Sequence, residues 1–545
     1  MKWTESNREP LAGQHFQVAV IGGGITGVAI ARECARAGKR TLLVEQHDFA
    51  SGTTSRSTRI LSGLRSLEQG EVAHAREIVR EQRRIVRERP HLAQASHFLM
   101  ALSPENRRST MAARTALWLY RRMTESKLET ASFEMEHKKL ERALDRGIRW
   151  SIFDYEDAQC EFPERLVAEW LGEAVAAGAV VRNHCQVLAV DLANGRARGL
   201  LLRDGTLNVE EKIEATWVIN ATGPWVDRLC QRSSIKTRRP MITGVRGSHI
   251  VVSNFPGAPT APLYGEACDG RAMLVLPWNE QVLVGATHVA DTGDPAKAQP
   301  AIEEIEYLLR SLARMFPKAR MSASDIRYAF AGVRALPFGL ETKREGAFAS
   351  HALYDHEDDH VARMISVVGG SLSTALAAAR DCAGHVGIRI AESKEIAIAD
   401  GSLLTPLLDQ WVVDIAEAGN MSEESARAMV EWHGKRAMEI ARTSTNSVEL
   451  RTPLCTHSQH IVAEAVHAYV HECAVTLADV LLRRVPVALG ACWSEGCSRE
   501  AALRIGTVLG WNEQTIGANL EALETERAAF LRKPRAGLSM QAAAD

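Results

Sequence analysis

The chain has 545 residues, 46% of them apolar and 24% charged, with a formal net charge of −2 at neutral pH. That length predicts two to four domains with ample core, and the near-zero charge leaves no electrostatic footprint for nucleic acid. No apolar run approaches a membrane span, "MKWTESNREP" lacks a signal-peptide core, and the ten cysteines form no C-x-x-C pair, which suits reduced thiols in a cytoplasmic protein rather than a disulfide framework or zinc site.

The first predicted elements lie in "VAVIGGGITGVAIARECARAGKRTLLVEQ", residues 18 to 46. Val18 to Ile21 reads as a buried parallel strand, and Gly22, Gly24 and Gly27 have the G-x-G-x-x-G spacing of a dinucleotide-binding turn. The predicted helix Ile25 to Ala37 offers free N–H groups and a positive dipole end to a pyrophosphate. Gly38 stops it. Thr41 to Val44 is a second strand ending in Glu45, eighteen residues after Gly27, where a carboxylate can accept hydrogen bonds from ribose hydroxyls. The loop alone does not separate NAD from FAD.

Residues 71–90 and 105–146 are charge-rich with helical patterning. Within them "MAARTALWLYRRM" (111–123) combines Trp118, Leu119 and Tyr120 with Arg114, Arg121 and Arg122. It reads either as a membrane-surface helix or as a packed helix with a basic face. "WVINATGPWVD" (217–227) is an apolar strand running into Thr222-Gly223, a second backbone approach to a dinucleotide. Antiparallel strands dominate from about 240 to 290. "YDHEDDH" (354–360) reads as a charged hairpin tip rather than a metal cluster. "MISVVGGSLSTALAAARDCA" (364–383) is another strand, a Gly369-Gly370 turn and a helix whose positive end would favour a negatively charged reduced ring. Three such turns spread over 350 residues exceed what a simple NAD domain needs.

From about 405 onward the pattern is helical. Val462, Val466, Tyr469, Cys473, Leu477 and Val480 form one stripe at helical spacing. Glu464, His467 and His471 have metal-ligand spacing on one helix face, but the two histidines also fit a solvated side, and no metal is expected. The tail after Phe530 reads as frayed.

On these residues the chain resembles the FAD-dependent glycerol-3-phosphate dehydrogenases and the related alpha-glycerophosphate oxidases, from about residue 15 to 530. "VEQHDFASGTTSRSTR" (44–59) is highly specific to that family. "GLRSLEQGEVAHAREIVRE", "NATGPWVD", "VRGSHIVV", "LVLPW", "FAGVRALP" and "HIVAEAVHAYVHECAVTLADVLLRR" follow in the family's order. The resemblance implies an α/β fold: a Rossmann-like, glutathione-reductase-like FAD domain, an antiparallel substrate-binding sheet and a C-terminal helical domain. The expected boundaries are 15–100, 155–230 and 330–395 for the FAD domain, 101–154 and 231–329 for the substrate or cap domain, and 400–535 for the helical domain.

FAD is therefore the expected cofactor, with Gly22, Gly24 and Gly27 on its pyrophosphate and Glu45 on its adenosine ribose. By resemblance, Ser51, Thr53, Ser55 and Arg56 line the same cofactor, together with the turns Thr222-Gly223 and Gly369-Gly370. Arg65 matches a family arginine that contacts the substrate, Arg334 one placed near the reacting carbon, and His249 the active-site histidine.

Other family positions differ. Ser66 replaces a tyrosine, a His-Gly-Gly is shortened to Ser62-Gly63, and Gly-Gly-Lys has become Gly369-Gly370-Ser371. Thr-Thr-Tyr-Arg has become Ser373-Thr374-Ala375-Leu376, and His351 stands where an arginine is expected. A phosphate dianion needs charge-assisted donors worth about 1.5–3 kcal/mol each. Ser66, His351 and Ser371 are thus candidate substrate-binding positions in an altered pocket.

The expected reaction oxidises a secondary alcohol to a ketone with hydride transfer to flavin, glycerol 3-phosphate being the default substrate. His249 would act as general base, its ordinary pKa lying near working pH, and Arg334 would stabilise the alkoxide-like oxygen. The alternatives are another polyol phosphate, a hydroxy acid or an uncharged alcohol, or a flavin-binding protein with a decayed site, against which the retained His249, Arg65 and Arg334 argue. Expected partners are the small-molecule alcohol or polyol phosphate and an electron acceptor, quinone or oxygen. The resemblance also admits peripheral contact with the inner face of the membrane and a homodimer.

Overall fold

The computed structural model describes residues 9–104, 109–124, 130–339, 350–390 and 404–533. The first strand, His15–Ile21, lies at the centre of an eight-stranded sheet. Its neighbours Thr41–Val44 and Val209–Asn220 both run parallel to it, and Val180–Arg182 and Met364–Val368 extend the parallel order outward. Parallel strands are buried on both faces and so need continuous apolar runs; Thr41–Val44 is buried at every position. One face packs on the helix Ile25–Arg36, itself held against Pro163–Ala176 and Ala375–His385. The helix and strand bounds expected around the glycine loop agree with this to within a few residues.

Register decides where the three turns go. Ile21 pairs with Asn220, and Asn220 with Ser366. The chain therefore leaves three adjacent parallel strands along one carboxyl edge, the place where open α/β sheets bind ligands.

The second sheet has nine strands and is mostly antiparallel. Ile242–Ser253 pairs with Gln281–Gly285 on one side and with Ile326–Pro337 on the other. Ala93–Leu102 and Ser151–Cys160 pair with each other and join the same sheet through Leu263–Glu266. Parts of these strands fall inside the ranges expected for the cofactor domain. The chain crosses between sheets more often than local pattern reveals, because pairing partners lie far apart in sequence.

The segment from Leu404 is helical, as expected. The apolar stripe does not run along one helix, however: Val462–His471 ends, Cys473 takes a left-handed φ of 65°, and a new turn starts at Leu477. Glu464 is fully buried and accepts hydrogen bonds from His433 and His460. The helical region is bound to the rest by buried ion pairs. Asp48 accepts from Arg484 at 2.7 and 2.8 Å and from Arg483, and Arg165 grips Glu472 at 2.7 and 2.8 Å. Removing one partner of such a pair leaves a buried charge uncompensated, costing about 3–5 kcal/mol. Past Phe530 the chain is still pinned: Arg532 and Ala329 exchange both backbone hydrogen bonds. The tail beyond Lys533 lies outside the described residues. Among the described residues, no helix is long and apolar enough to cross a membrane.

Candidate active site

A cavity of about 1260 Å³ runs along the carboxyl edge of the parallel sheet and under the second sheet. Gly22, Gly24, Thr222, Gly223, Gly369 and Gly370 all line it, so the three turns face one space. The glycines of the first turn have different jobs. Gly22 has φ 108°, and a Cβ on Gly27 would sit 1.9 Å from the Gly22 carbonyl oxygen. These two let the helix close on the strand. A Cβ on Gly24 would meet only Thr54 Oγ1, at 3.4 Å, and Gly24 faces the cavity. That is a cradle for something other than protein.

The helix start supports the same reading. Gly24 caps Ile25–Arg36 without a side chain, and the first turn holds no acid. Thr54 Oγ1 accepts the Ile25 N–H at 3.1 Å, and Thr26 lines the cavity, so the dipole end is directed at a ligand. Glu45 lines the cavity too, its carboxylate accepting from Gly23 N at 2.7 Å and His47 N at 2.9 Å. Burial raises its pKa, against the two N–H bonds that lower it. Volume, glycine cradle, helix terminus and acid together fit a dinucleotide.

The serine-threonine stretch is divided. Ser51, Thr53 and Arg56 line the cavity, and Thr53 Oγ1 donates to Val333 O at 2.7 Å. Ser55 turns inward, donating to Gly52 O at 3.2 Å, and is not a lining residue. Arg56 lies 4.8 Å over the Phe530 ring, and burial pushes its guanidinium down to about 10. The helix Glu513–Phe530 closes this side through Glu521, Thr525 and Glu526. No C-terminal residue was expected at the site, because the apolar residues of this helix are not gathered on one face and its sequence does not disclose what it covers.

The second sheet brings His249, Arg334 and Arg65 to the same cavity. His249 stands between two strand neighbours, Gly285 and Phe330. A Cβ on Gly285 would lie 2.2 Å from the imidazole, and the ring stacks on Phe330 at 4.9 Å and 16°. One missing side chain and one flat one thus fix the ring plane. His249 Nε2 is 3.1 Å from Thr58 Oγ1. Burial, then the Arg334 and Arg59 guanidiniums, push His249 down to about 3. The ordinary pKa expected from sequence does not survive this environment: the imidazole is neutral across the working range.

Arg334 donates to His288 Nδ1 at 3.1 Å and to Thr287 O at 3.4 Å. Burial and the Arg65 guanidinium push it down to about 10. Two guanidiniums that raise each other's energy in one cavity make a site that an anion relieves. Arg65 rides on the short helix Leu64–Glu68, fixed from below: Gly63 N donates to Tyr120 Oη at 3.1 Å, and Tyr120 donates to Asp157 at 3.0 Å. The shortened Ser62-Gly63 loop is therefore tightly held.

Ser66 is buried and lines the cavity, as does Ser371, whose N–H donates to Thr374 Oγ1 at 2.8 Å. His351 does not line it; Nε2 pairs with Asp381 at 2.7 Å. His288, Thr58, Gly285 and Phe330 were not singled out by sequence. His288 left only a weak trace, in the polar pair Thr287-His288 that follows the buried strand Gln281–Gly285 in "VGATHVA".

Comparison with known proteins agrees with this geometry. A family model described as FAD dependent oxidoreductase matches residues 17–383, and one described as the C-terminal domain of alpha-glycerophosphate oxidase matches 393–516. A glycerol-3-phosphate dehydrogenase of Synechocystis sp. is 32% identical over 500 residues, 87% of this chain and 89% of its own length. An aerobic glycerol-3-phosphate dehydrogenase of Bacillus subtilis is 26% identical, covering 86% of each. The glycerol-3-phosphate dehydrogenase structure from Bacillus halodurans, complexed with FAD, superposes with a TM-score of 0.76 over 97% of each chain at 23% identity, a likeness of fold.

Proposed function

We propose that this chain, which belongs to the family of FAD-dependent glycerol-3-phosphate dehydrogenases, oxidises the secondary alcohol of glycerol 3-phosphate to the ketone of dihydroxyacetone phosphate. The observation that carries the reading is the convergence of Arg65, Arg334 and neutral His249 in the cavity that also receives the glycine loop. Bound FAD supplies the hydride acceptor. Gly24, the Ile25–Arg36 helix start and Glu45 would hold it, with Ser51, Thr53, Arg56 and the Thr222-Gly223 and Gly369-Gly370 turns beside it.

The chain's own residues do the rest. His249 takes the hydroxyl proton on a ring nitrogen, its neutral form being the only one populated near pH 7. Arg334 donates to the oxygen on which negative charge develops. Arg65 binds the anionic end of the substrate, and Ser66 and Ser371 add neutral donors where charge is less concentrated. The electron acceptor is a quinone or oxygen.

Anaerobic mixing tests this directly. Glycerol 3-phosphate should bleach the flavin absorbance at far lower concentration than glycerol; equal potency would remove the phosphate from the recognition. Ser371→Lys should then tighten glycerol 3-phosphate by roughly 1–3 kcal/mol and leave glycerol unchanged. Its backbone bond to Thr374 survives the substitution, so the loop keeps its shape. The ratio of the two substrates' flavin-reduction constants is the quantity to measure.

The reading extends to the membrane surface. The helix Thr110–Thr124 packs inward through Ala113, Leu117 and Tyr120, while Trp118 is 57% exposed with Arg122 4.8 Å over its ring. An exposed aromatic under a basic face suits the headgroup layer of an anionic bilayer. Sedimentation with anionic vesicles should pull down the protein, and Trp118→Ser should weaken that binding without altering glycerol 3-phosphate oxidation in solution.

A further inference from the structure

We infer that Cys455, His457, Cys492 and Cys497 bind a zinc ion in the C-terminal helical region, away from the cofactor cavity. Cys455, His457 and Cys497 each offer a ligand atom, all within 4.8 Å of one another. Cys497 Sγ lies 3.6 Å from His457 Nδ1. A tetrahedral zinc with Zn–S near 2.3 Å and Zn–N near 2.0–2.1 Å sets sulfur and nitrogen about 3.5 Å apart, so this edge of the polyhedron is already at length. The Cys455 and Cys497 thiols both belong to that trio, and Cys492 adjoins it, its carbonyl oxygen accepting from Cys497 Sγ at 3.8 Å. Two sulfurs and one imidazole supply three corners of a tetrahedral zinc site, and the exposed Cys492 beside them is the residue to supply the fourth.

Topology explains why sequence spacing conceals the set. Cys455 and His457 sit in the connection between Val448–Arg451 and Val462–His471. Cys492 and Cys497 bracket Ser494, which caps the helix Glu495–Leu509. The two pairs are separated by residues 458–491 and have C-x-H and C-x₄-C spacing, neither of which is a C-x-x-C knuckle. Cys455 and Cys497 are buried at 3% exposure each, whereas His457 and Cys492 face solvent. The ion thus has an anchored inner pair and an open side to enter from.

None of the four lines the cofactor cavity. The metal is therefore a staple: it ties a connection to a helix start. As it binds, each thiol gives up its proton to solvent and Zn²⁺ takes the thiolate pair, with no change of oxidation state. The other cluster of similar make-up, Asp48, His184 and Asp479, is different, since Arg483 and Arg484 already neutralise its carboxylates.

The test uses the FAD-loaded enzyme expressed with added zinc. Metal analysis should find one zinc equivalent per chain. Cys497→Ser and His457→Ala should each lose it while retaining FAD, and Cys268→Ser, at an exposed thiol elsewhere, should keep it. Cobalt added to chelator-stripped wild type should give thiolate charge-transfer bands and the intense visible bands of tetrahedral Co²⁺. If Cys497→Ser fails to fold, the exposed His457 variant and the cobalt spectrum decide. Wild-type protein without zinc and without those bands, a disulfide among the three cysteines, or zinc retained by both variants would each overturn the site.

Discussion

Gly24→Val should give a folded protein that has lost its yellow colour. Among the described residues a Cβ at this position would meet only Thr54 Oγ1, at 3.4 Å, and Gly24 has φ −72° and ψ 176°, extended backbone that valine adopts freely. The isopropyl group instead fills the space where the pyrophosphate oxygens must approach the backbone. Gly27→Val is the control with the opposite failure. Its Cβ would lie 1.9 Å from Gly22 O, so the helix Ile25–Arg36 could not close on the sheet and the fold itself should be lost. FAD content measured beside the thermal midpoint separates the two. A Gly24→Val protein carrying full FAD would show that the cradle holds no pyrophosphate, and a stable Gly27→Val protein would show that the helix has room to move.

These glycines also mark how far the sequence could be read. The first turn was legible because strand, glycines, helix and acid are local and close in register. The two later turns were legible as motifs, but their meeting depends on the pairing of Ile21 with Asn220 and of Asn220 with Ser366, which no single segment encodes. His249, Arg65 and Arg334 were reached through family resemblance. What shapes their chemistry was not: Gly285 and Phe330 flank His249 only because three strands from residues 242 to 337 align side by side. The same long-range pairing moves Ala93–Leu102 and Ser151–Cys160 into the second sheet. The stripe from Val462 to Val480 failed differently, since a left-handed residue at Cys473 breaks a period that side-chain polarity alone would continue.

Changing His249 or Arg334 to Ala should slow anaerobic flavin reduction by glycerol 3-phosphate far more than it weakens substrate binding. Loss of a general base costs about 10²–10⁴ in rate, and loss of a donor to developing negative charge about 10²–10³. Packing sharpens the distinction. His249→Ala opens a gap against Phe330 and Gly285, so a purely structural residue would cost stability and raise KM, whereas a base lowers kcat. The pH profile adds an independent constraint. Because burial and Arg334 hold His249 down to about 3, its neutral, proton-accepting form is present above that value and is lost only as the pH falls through it. Between pH 5 and 8 the free enzyme therefore contributes no acid limb through this residue. A fall in kcat/KM near pH 6 should come instead from the second ionisation of the substrate's phosphate, which lies near 6, because Arg65 binds the dianion better than the monoanion. The limb should then vanish when glycerol is the substrate. If it persists near 6.5 with glycerol and disappears in His249→Ala, His249 titrates as an ordinary histidine, and the dry, stacked environment drawn for it is wrong. Equal reduction rates in wild type and His249→Ala would remove the histidine from the proton transfer, leaving Arg334 to act on an alcohol whose proton departs to solvent.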